Sequence, residues 1–303
     1  MPPPRGTPNI LEGPGDYDVT TTIHNDTYPA IDPTKVSLKG KAVFVSGASR
    51  GMGREMVLSF ARGGASYIAA GARSDLSQLA EDVRSAAQAA NHPEPTFLPL
   101  QLDVTSVESV EKAAAKVDEE FGHLDIAINN AGVLGKFGLV HESKPEEWLN
   151  VLNINLIGPY LVSRSFIPLL LKGQDQYLIN VASVAAHLTN PTLSAYQTSK
   201  VALVRLTQLL DKEYSSHGVT CFSIHPGNSP TDIMGGPDGM NEHEKLVFTE
   251  TPKLSADTLV YLTSEKRQWL GGRYVNVTWD MPELMRKEEE IVSGDKLKVR
   301  LVY

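Results

Sequence analysis

A tyrosine and a lysine, Tyr196 and Lys200, stand four residues apart in a segment whose apolar residues recur with helical spacing. Residues four apart lie on one face of a helix, so the lysine ammonium would lie close to the phenol. An isolated tyrosine titrates near pH ~10, and a neighbouring cation can lower its pKa by about 1–3 units. The pair is therefore a candidate for proton transfer at an oxygen atom. Because this spacing also arises by chance on many helices, other residues must support the assignment.

A serine supplies that support, because Ser183 follows the short apolar run Tyr177–Val181, which is typical of a buried strand. Parallel sheets place their ligands at the carboxyl ends of their strands. A hydroxyl at that edge can hold a carbonyl oxygen against the tyrosine. His187, four residues further on, either faces the same pocket or is a structural histidine, and the structural interpretation is favoured.

A glycine-rich turn joins the strand Ala42–Ser46 to the helix that follows it. Glycines let the chain turn sharply there and let a pyrophosphate approach the helix N-terminus, where free N–H groups favour negative charge. The context of a strand before the turn and a helix after it makes the motif specific for a dinucleotide. The predicted contacts in the turn are Gly47, Ser49, Arg50, Gly51, Met52 and Gly53.

The charge at the end of the second strand distinguishes the two nicotinamide cofactors. NAD sites usually carry an acid there for the ribose hydroxyl, whereas NADP sites carry a cation for the phosphate. This strand ends in Ala72, Arg73 and Ser74, and the first acid is Asp75. With Arg50 as a second cation, the sequence favours NADP(H) over NAD(H).

The elements that must position these residues alternate between short β-branched runs and longer amphipathic segments, the pattern of βαβ units. The predicted strands are Ala42–Ser46, Tyr67–Ala72, Thr96–Leu102, Asp125–Asn129, Tyr177–Val181, Thr220–His225 and Arg273–Val277. The predicted helices are Met52–Arg62, Leu76–Ala90, Val107–Phe121, Glu146–Leu171 and Ala195–Ser216. This order predicts an α/β, doubly wound (Rossmann), mostly parallel seven-stranded sheet with helices on both faces.

Two segments fall outside this alternation. Residues 1–38 are rich in proline and glycine and form an N-terminal arm, which leaves 39–303 as a single domain. A segment without clear periodicity, about 228–251, lies between the last two strands and is a candidate substrate lid.

Taken together, these motifs resemble the short-chain dehydrogenase/reductase family over roughly residues 38 to 280. The resemblance implies that Tyr196 is the proton donor or acceptor, that Ser183 orients the reacting oxygen, and that Lys200 lowers the tyrosine pKa and binds the nicotinamide ribose. Asn155, in the segment Asn155-Leu156-Ile157-Gly158, would hold a water that links Lys200 to solvent. Further implied cofactor contacts are Asp103 at the adenine, Asn129 beside the adenosine ribose, and Val104, Ala131, Gly132, Pro226, Gly227 and Thr231.

One position departs from the family pattern. After Pro226 and Gly227 the family commonly has an apolar residue and then threonine, whereas this chain has Asn228, Ser229, Pro230 and Thr231. Asn228 could serve the cofactor, the substrate or only a turn.

Composition excludes other classes. A net charge of -8, from 28 lysines and arginines against 36 acids, argues against nucleic acid, and a single cysteine excludes an intramolecular disulfide. With no metal-ligand motif, apolar span or signal pattern, we expect a cytoplasmic protein without a metal.

The expected reaction interconverts a ketone or aldehyde and an alcohol, on a substrate that the apolar residues Val133, Leu134, Phe137, Leu139, Met234 and Met240 suggest is hydrophobic. The resemblance also implies a homodimer or homotetramer that pairs through the two long helices. Two alternatives are a dinucleotide-binding scaffold with a non-redox role, as cyclase or regulator, and a structural interaction protein.

Overall fold

A seven-stranded parallel sheet forms the centre of the molecule in the computed structural model, which describes Gly13, 15–231 and 240–301. Its strand order is β3-β2-β1-β4-β5-β6-β7, and every neighbouring pair is parallel. The strands are β1 (Ala42–Ser46), β2 (Tyr67–Ala72), β3 (Thr96–Gln101), β4 (Ile126–Asn129), β5 (Tyr177–Val181), β6 (Thr220–His225) and β7 (Tyr274–Asn276). The predicted doubly wound sheet is confirmed, with strand ends that shift by one residue in β3, β4 and β7.

Helices cover both faces of the sheet. They are α1 (Gly51–Arg62), α2 (Ser77–Ala89), α3 (Val107–Phe121), α4 (Pro145–Leu152), α5 (Gly158–Leu170), α6 (Ser194–Tyr214), α7 (Glu242–Val247), α8 (Pro252–Thr263), α9 (Met281–Arg286) and α10 (Glu288–Ser293). Helices α1, α2 and α8 contribute to one apolar core, and α3 and α5 to the other. Alternate residues of β1 serve the two cores, with Val45 in the first and Phe44 in the second, as the two-residue period of a strand requires.

The long helix predicted over Glu146–Leu171 is wrong in one respect, because the chain there forms α4 and α5 separated by a π-helical turn, Asn153–Ile157. The Gly158 N–H donates to the Asn153 carbonyl, which is the five-residue spacing of a π turn. Pro159 has no N–H with which to continue an α-helical ladder at this point. The turn brings Asn155 to full burial at the centre of the molecule.

Helix α8 was not predicted from the sequence, and the reason is its burial. Nine of its twelve residues are buried, among them Ser255, Asp257 and Thr258. A helix that is buried all round shows no apolar stripe, so the period on which the prediction relied is missing. The Asp257 carboxylate is fully buried and accepts hydrogen bonds from Ser59 of α1 and from Thr27.

The described part of the N-terminal arm lies against the carboxyl-terminal half of the domain. Ile31 and Leu38 are buried in the core. The His24 N–H donates to the Thr278 carbonyl at 2.7 Å, and Ile23 forms an antiparallel bridge with Trp279. Of the segment predicted as a lid, residues 232–239 lie outside the described residues, and the part beyond them contains α7.

Candidate active site

A cavity of about 780 Å³ opens at the carboxyl edge of the sheet. Its wall includes the glycine turn, the ends of β2 and β5 and the start of α6. The predicted site residues that line it are Gly47, Ser49, Arg50, Gly51, Met52, Gly53, Arg73, Asp103, Val104, Ala131, Gly132, Ser183, Tyr196, Lys200, Pro226, Gly227 and Thr231. The structure thus brings together in one cavity residues that span most of the domain sequence.

The glycine turn has the geometry of a phosphate cradle. Gly47 and Gly51 have positive φ angles of 69° and 55°, which side chains other than glycine rarely adopt. A Cβ atom at Gly53 would lie 2.3 Å from the Gly47 carbonyl oxygen, so no larger residue fits there. The start of α1 therefore faces the cavity without side chains in the way, and this space fits the pyrophosphate of a dinucleotide.

Asn130 holds this turn in place and was not among the predicted site residues. Its amide Nδ2 donates to the carbonyls of Ser46 at 3.0 Å and Gly47 at 3.1 Å. In return, the Ser46 hydroxyl accepts from the backbone N–H groups of Asn130 and Ala131. The one signal in the sequence was a second asparagine directly after a strand, next to the asparagine that was chosen.

Asn129, predicted beside the adenosine ribose, has its side chain in the interior and does not line the cavity. Its Nδ2 donates to Asn180 Oδ1 at 2.8 Å and to the Ser163 hydroxyl at 3.3 Å. Asn180 donates in turn to Thr207 at 2.8 Å. This network ties β4 and β5 to α5 and α6, so the Asn129 side chain supports the sheet from below the site.

Two arginines line the cavity, one in the glycine turn and one directly after β2. Arg50 and Arg73 both line it and are exposed. The Asp103 carboxylate accepts from the hydroxyl and N–H of Thr105, which lowers the pKa of Asp103, and nearby Arg73 adds to the effect. The Asp75 carboxylate accepts from Ser77 and caps the start of α2. In each of these acids Oδ1 accepts both hydrogen bonds.

Ser183 and Tyr196 both line the cavity, and the serine hydroxyl is near enough to the phenol to affect its pKa. Burial raises the pKa of Tyr196 above its usual value, and the hydrogen bond with Ser183 partly offsets that rise. Ser183 also caps the one-turn 3-10 helix Val184–Ala186, because its hydroxyl accepts from the Ala185 N–H at 3.2 Å. The serine is thereby fixed at the end of β5 with its oxygen toward the phenol.

Lys200 lies below the tyrosine on α6. Its Nζ donates to the Val181 carbonyl at 2.8 Å and is 5.6 Å from the centre of the Tyr196 ring. Burial lowers the pKa of Lys200 to about 8. That Lys200 lowers the tyrosine pKa stays a prediction, and burial acts in the opposite direction by raising the pKa of Tyr196.

Asn155 lies behind the cavity wall and does not line it. Its Oδ1 accepts from the Val133 N–H at 2.9 Å, and its Nδ2 donates to the Val133 carbonyl and to Ser199 on α6. A Cβ atom at Gly132 would lie 3.3 Å from Asn155 Oδ1 and 3.8 Å from Lys200 Nζ. Asn155 is therefore adjacent to the lysine, and its side chain fixes the backbone of the wall.

Two histidines near Ser183 have different positions. His187 does not line the cavity, and its Nε2 lies 2.9 Å from the Asp16 carboxylate, which agrees with the favoured structural interpretation. His225, at the end of β6, does line the cavity, although the sequence analysis did not single it out. Its Nδ1 accepts from the Val184 N–H at 3.2 Å, and burial lowers its pKa to about 3, so the ring is neutral at physiological pH.

The remaining wall beside Ser183 and Tyr196 is mostly apolar. It includes Val133, Leu134, Phe137, Ile154, Val184, Leu193, Val247 and Phe248. Asn228 also lines this part and donates to the Tyr17 hydroxyl at 3.5 Å. Of the apolar residues expected at the substrate, Leu139 and Met240 do not line the cavity and Met234 lies outside the described residues.

Comparison with known proteins decides the family. The family model for short chain dehydrogenase matches residues 41–239, and a short chain dehydrogenase of Monascus ruber, pigC, is 67% identical over 303 residues, 100% of each chain. The chain belongs to the short-chain dehydrogenase family. A second relative, the short chain dehydrogenase tazN of Aspergillus terreus, is 60% identical over 294 residues, which are 96% of this chain and 63% of that protein.

A solved structure supports the fold. Carveol dehydrogenase from Mycobacterium avium, in complex with NAD, has a TM-score of 0.71 at 20% identity and covers 80% of this chain and 97% of its own. As a short-chain dehydrogenase, the protein is an oxidoreductase that acts on CH–OH groups and binds NAD or NADP. Within the described residues, no helix is long and apolar enough to cross a membrane, and no three histidine, cysteine or acidic side chains are grouped to hold a metal ion.

Proposed function

We propose that this short-chain dehydrogenase uses NADP(H) to interconvert a ketone or aldehyde and an alcohol on a hydrophobic small molecule. The observation that carries the proposal is the placement of Ser183, Tyr196 and Lys200 in the wall of one cavity that also contains the glycine turn. The bound cofactor supplies or accepts a hydride at the substrate carbon. The matching proton must then move at the substrate oxygen, and Tyr196 is the acid positioned to deliver it.

The residues around Tyr196 divide this task. In the reducing direction, the phenol gives its proton to the oxygen as negative charge develops there, and the Ser183 hydroxyl donates a hydrogen bond that holds that oxygen in place. Lys200, buried beside the ring, is placed to share a proton with the phenol and to contact the ribose. Asn155 keeps Val133 in position and so maintains the shape of the wall next to Lys200.

The two arginines support the preference for NADP(H). A guanidinium donates several hydrogen bonds in a fixed plane and matches a phosphate well. Arg73, which follows β2, and Arg50, in the glycine turn before α1, both line the cavity. Asp75 accepts from Ser77 at the start of α2. The apolar wall that includes Leu134, Phe137 and Phe248 supports a hydrophobic substrate.

The test is a screen of ketones and aldehydes with NADPH, monitored by cofactor absorbance and by mass identification of the product. Tyr196→Phe keeps the ring and removes the proton, so we expect it to bind NADPH like the parent and to lose turnover by about 10²–10⁴-fold. Tyr261→Phe, on α8 and outside the cavity wall, is the matched control and should retain the parent rate. A Tyr196→Phe variant with parent turnover would instead favour the non-redox scaffold.

We also propose that the protein is a homodimer or homotetramer that pairs through the outer faces of α4 to α6. The large apolar side chains Leu149, Tyr160 and Leu209 on these helices are 53%, 47% and 52% exposed. Light scattering at micromolar concentration tests this. A Leu209→Glu variant should give a smaller species than the parent, whereas Val292→Glu on α10 should not.

A further inference from the structure

The N-terminal arm contacts the loop that follows Ser183. Asp16, in the arm, has a carboxylate whose Oδ1 lies 2.9 Å from His187 Nε2, so the ring donates to it. Asp16 Oδ2 accepts from the Gly13 N–H at 2.6 Å, and the side chain is only 1% exposed. The Asp16 carbonyl accepts from Trp279 at 2.7 Å and from Asn276 at 3.2 Å. The carboxylate is therefore held rigidly by the domain on which the arm lies.

His187 connects this carboxylate to Ser183 through a single turn. Ser183 is the N-cap and His187 the C-cap of the 3-10 helix Val184–Ala186, and the His187 N–H donates to the Val184 carbonyl. The His187 ring also packs edge-on against Tyr274, with 5.1 Å between ring centres. A ring held by a carboxylate on one side and an aromatic edge on another has little rotational freedom, and the turn it ends is fixed with it.

The loop beyond His187 needs such a support. Residues 188–193 form no helix or strand, and Asn190, Pro191, Thr192 and Leu193 line the cavity between Ser183 and Tyr196. Thr192 has a φ of 75°, an unfavourable conformation for a β-branched residue. Backbone strain of this kind persists only where neighbouring contacts hold it. The arm lies against the start of this loop, because a Cβ at Gly13 would lie 2.8 Å from a side-chain carbon of Leu188.

A second contact joins the arm to another part of the cavity wall, the segment that follows Gly227. Tyr17, next to Asp16, is 5% exposed, and its hydroxyl accepts from Asn228 Nδ2 at 3.5 Å. Asn228 follows Gly227 and lines the cavity. Two adjacent arm residues thus contact two segments that lie far apart in sequence, the loop after Ser183 and the segment after Gly227, and both segments line the cavity.

We propose that Asp16 and His187 are a positioning pair, in which the arm fixes the loop 184–193 and through it the orientation of Ser183 toward Tyr196. This inference rests on the proposed carbonyl–alcohol chemistry. It gives the arm a part in turnover, although neither Asp16 nor His187 lines the cavity. The pair acts on the substrate side, so its loss should leave the dinucleotide end of the cavity unchanged.

The test compares Asp16→Ala, His187→Ala and the double variant with Asp18→Ala. Asp18 is the matched control, because it is an exposed arm acid whose carboxylate accepts only a local bond, from the Gly15 N–H at 2.7 Å. Phenanthrenequinone, a hydrophobic diketone, serves as the probe substrate with NADPH. We expect the two single variants to lower kcat/KM by roughly 10-fold or more, with NADPH affinity within about twofold of the parent.

Two further measurements distinguish a positioning role of the pair from a general loss of protein stability. They are the kinetics of the double variant and the deuterium exchange of the loop amides. The double variant should be no slower than either single variant, because both substitutions break the same contact. Deuterium exchange of the amides in 184–193 should rise in both single variants and stay at the parent level in Asp18→Ala. His187→Gln, whose amide can still donate to Asp16, should recover part of the lost rate and provides a milder change if an alanine variant fails to fold.

The outcomes are distinguishable from those of the functional proposal. If exchange in 184–193 and kcat/KM in Asp16→Ala match the Asp18→Ala control, the positioning role is overturned even when Tyr196→Phe is inactive. If Tyr196→Phe turns over like the parent, the carbonyl chemistry fails, and the exchange measurement still shows whether the arm holds the loop.

Discussion

Asn155 and Val133 are joined by two hydrogen bonds, one in each direction. The carboxamide oxygen accepts from the Val133 N–H at 2.9 Å, and the amide nitrogen donates to the Val133 carbonyl at 2.8 Å. The same nitrogen donates to Ser199 at 3.1 Å, one residue before Lys200. The π turn that carries Asn155 thus links the loop after β4 to the helix that carries Tyr196 and Lys200.

The first prediction follows from this link. Asn155→Ala removes the side-chain partners of the partly buried N–H and carbonyl of Val133, and each lost hydrogen bond costs about 0.5–1.5 kcal/mol. We expect a lower melting temperature together with slower turnover, because the wall beside Lys200 loses its support. Asn153→Ala is the control, since Asn153 is exposed on the same π turn. Equal melting and equal rates in the two variants would contradict this assignment of Asn155.

Arg73 leads to a prediction about cofactor choice. Arg73→Asp replaces the cation that we propose binds the phosphate, at the end of β2, with an acid suited to a ribose hydroxyl. We expect NADPH to bind more weakly by about 10-fold or more and its advantage over NADH to shrink. Calorimetric titration with both cofactors measures the change. Arg84→Asp on α2, where the parent arginine pairs with Glu94, is the matched surface control. If the parent protein binds NADPH and NADH equally tightly, the prediction that its arginines favour NADPH is wrong.

Lys200 is expected to affect binding and turnover together. Lys200→Met removes the buried ammonium that donates to the Val181 carbonyl and lies over the Tyr196 ring. Turnover should fall by about 10²-fold or more, and cofactor affinity should weaken, because one residue serves both the phenol and the ribose. Lys212→Met, at the exposed end of the same helix, should resemble the parent. A variant with normal cofactor affinity would leave Lys200 with only a proton-transfer role.

The sequence contained enough to predict the sheet and most of the cavity wall. Strands β1, β2, β5 and β6 were predicted with the boundaries that the structure has, because buried parallel strands are short apolar runs. Edge strand β3 was also found, and its Pro99 lies where a proline is tolerated in a sheet. The glycine turn, Ser183 and Tyr196 were placed correctly on the elements that bring them together.

Sequence reasoning missed features that depend on the direction in which a side chain points or on contacts between residues far apart in the sequence. Adjacent residues in a strand point to opposite faces, so choosing Asn129 rather than Asn130 put the wrong side chain toward the cavity. The contact between Asp16 and His187 joins residues 171 positions apart and has no local pattern. Helix α8 is buried on all sides, so its sequence has no amphipathic period.

Glu250 gives a prediction about stability and pH. Its side chain is 1% exposed, and one carboxylate oxygen accepts from the Asn228 N–H at 3.0 Å. Burial raises the pKa of Glu250 from 4.5 to about 7, because the charged form is poorly solvated there. Between these two values the folded protein binds more protons than the unfolded chain, so the contribution of this group to stability is lost as pH rises through that window.

Glu250→Gln removes the ionisation and keeps a side-chain oxygen that can accept from Asn228. We therefore expect the variant to gain stability relative to the parent as pH is raised from about 4.5 to about 7, by at most about 3 kcal/mol. Thermal melts of both proteins across this range measure the difference, with Glu289→Gln at an exposed position of α10 as the control. A constant difference between the Glu250→Gln and parent melting temperatures at all pH values would show that Glu250 does not titrate in this window. The carboxylate would then be charged throughout, and its hydrogen bond to Asn228 would be strong enough to offset the loss of hydration.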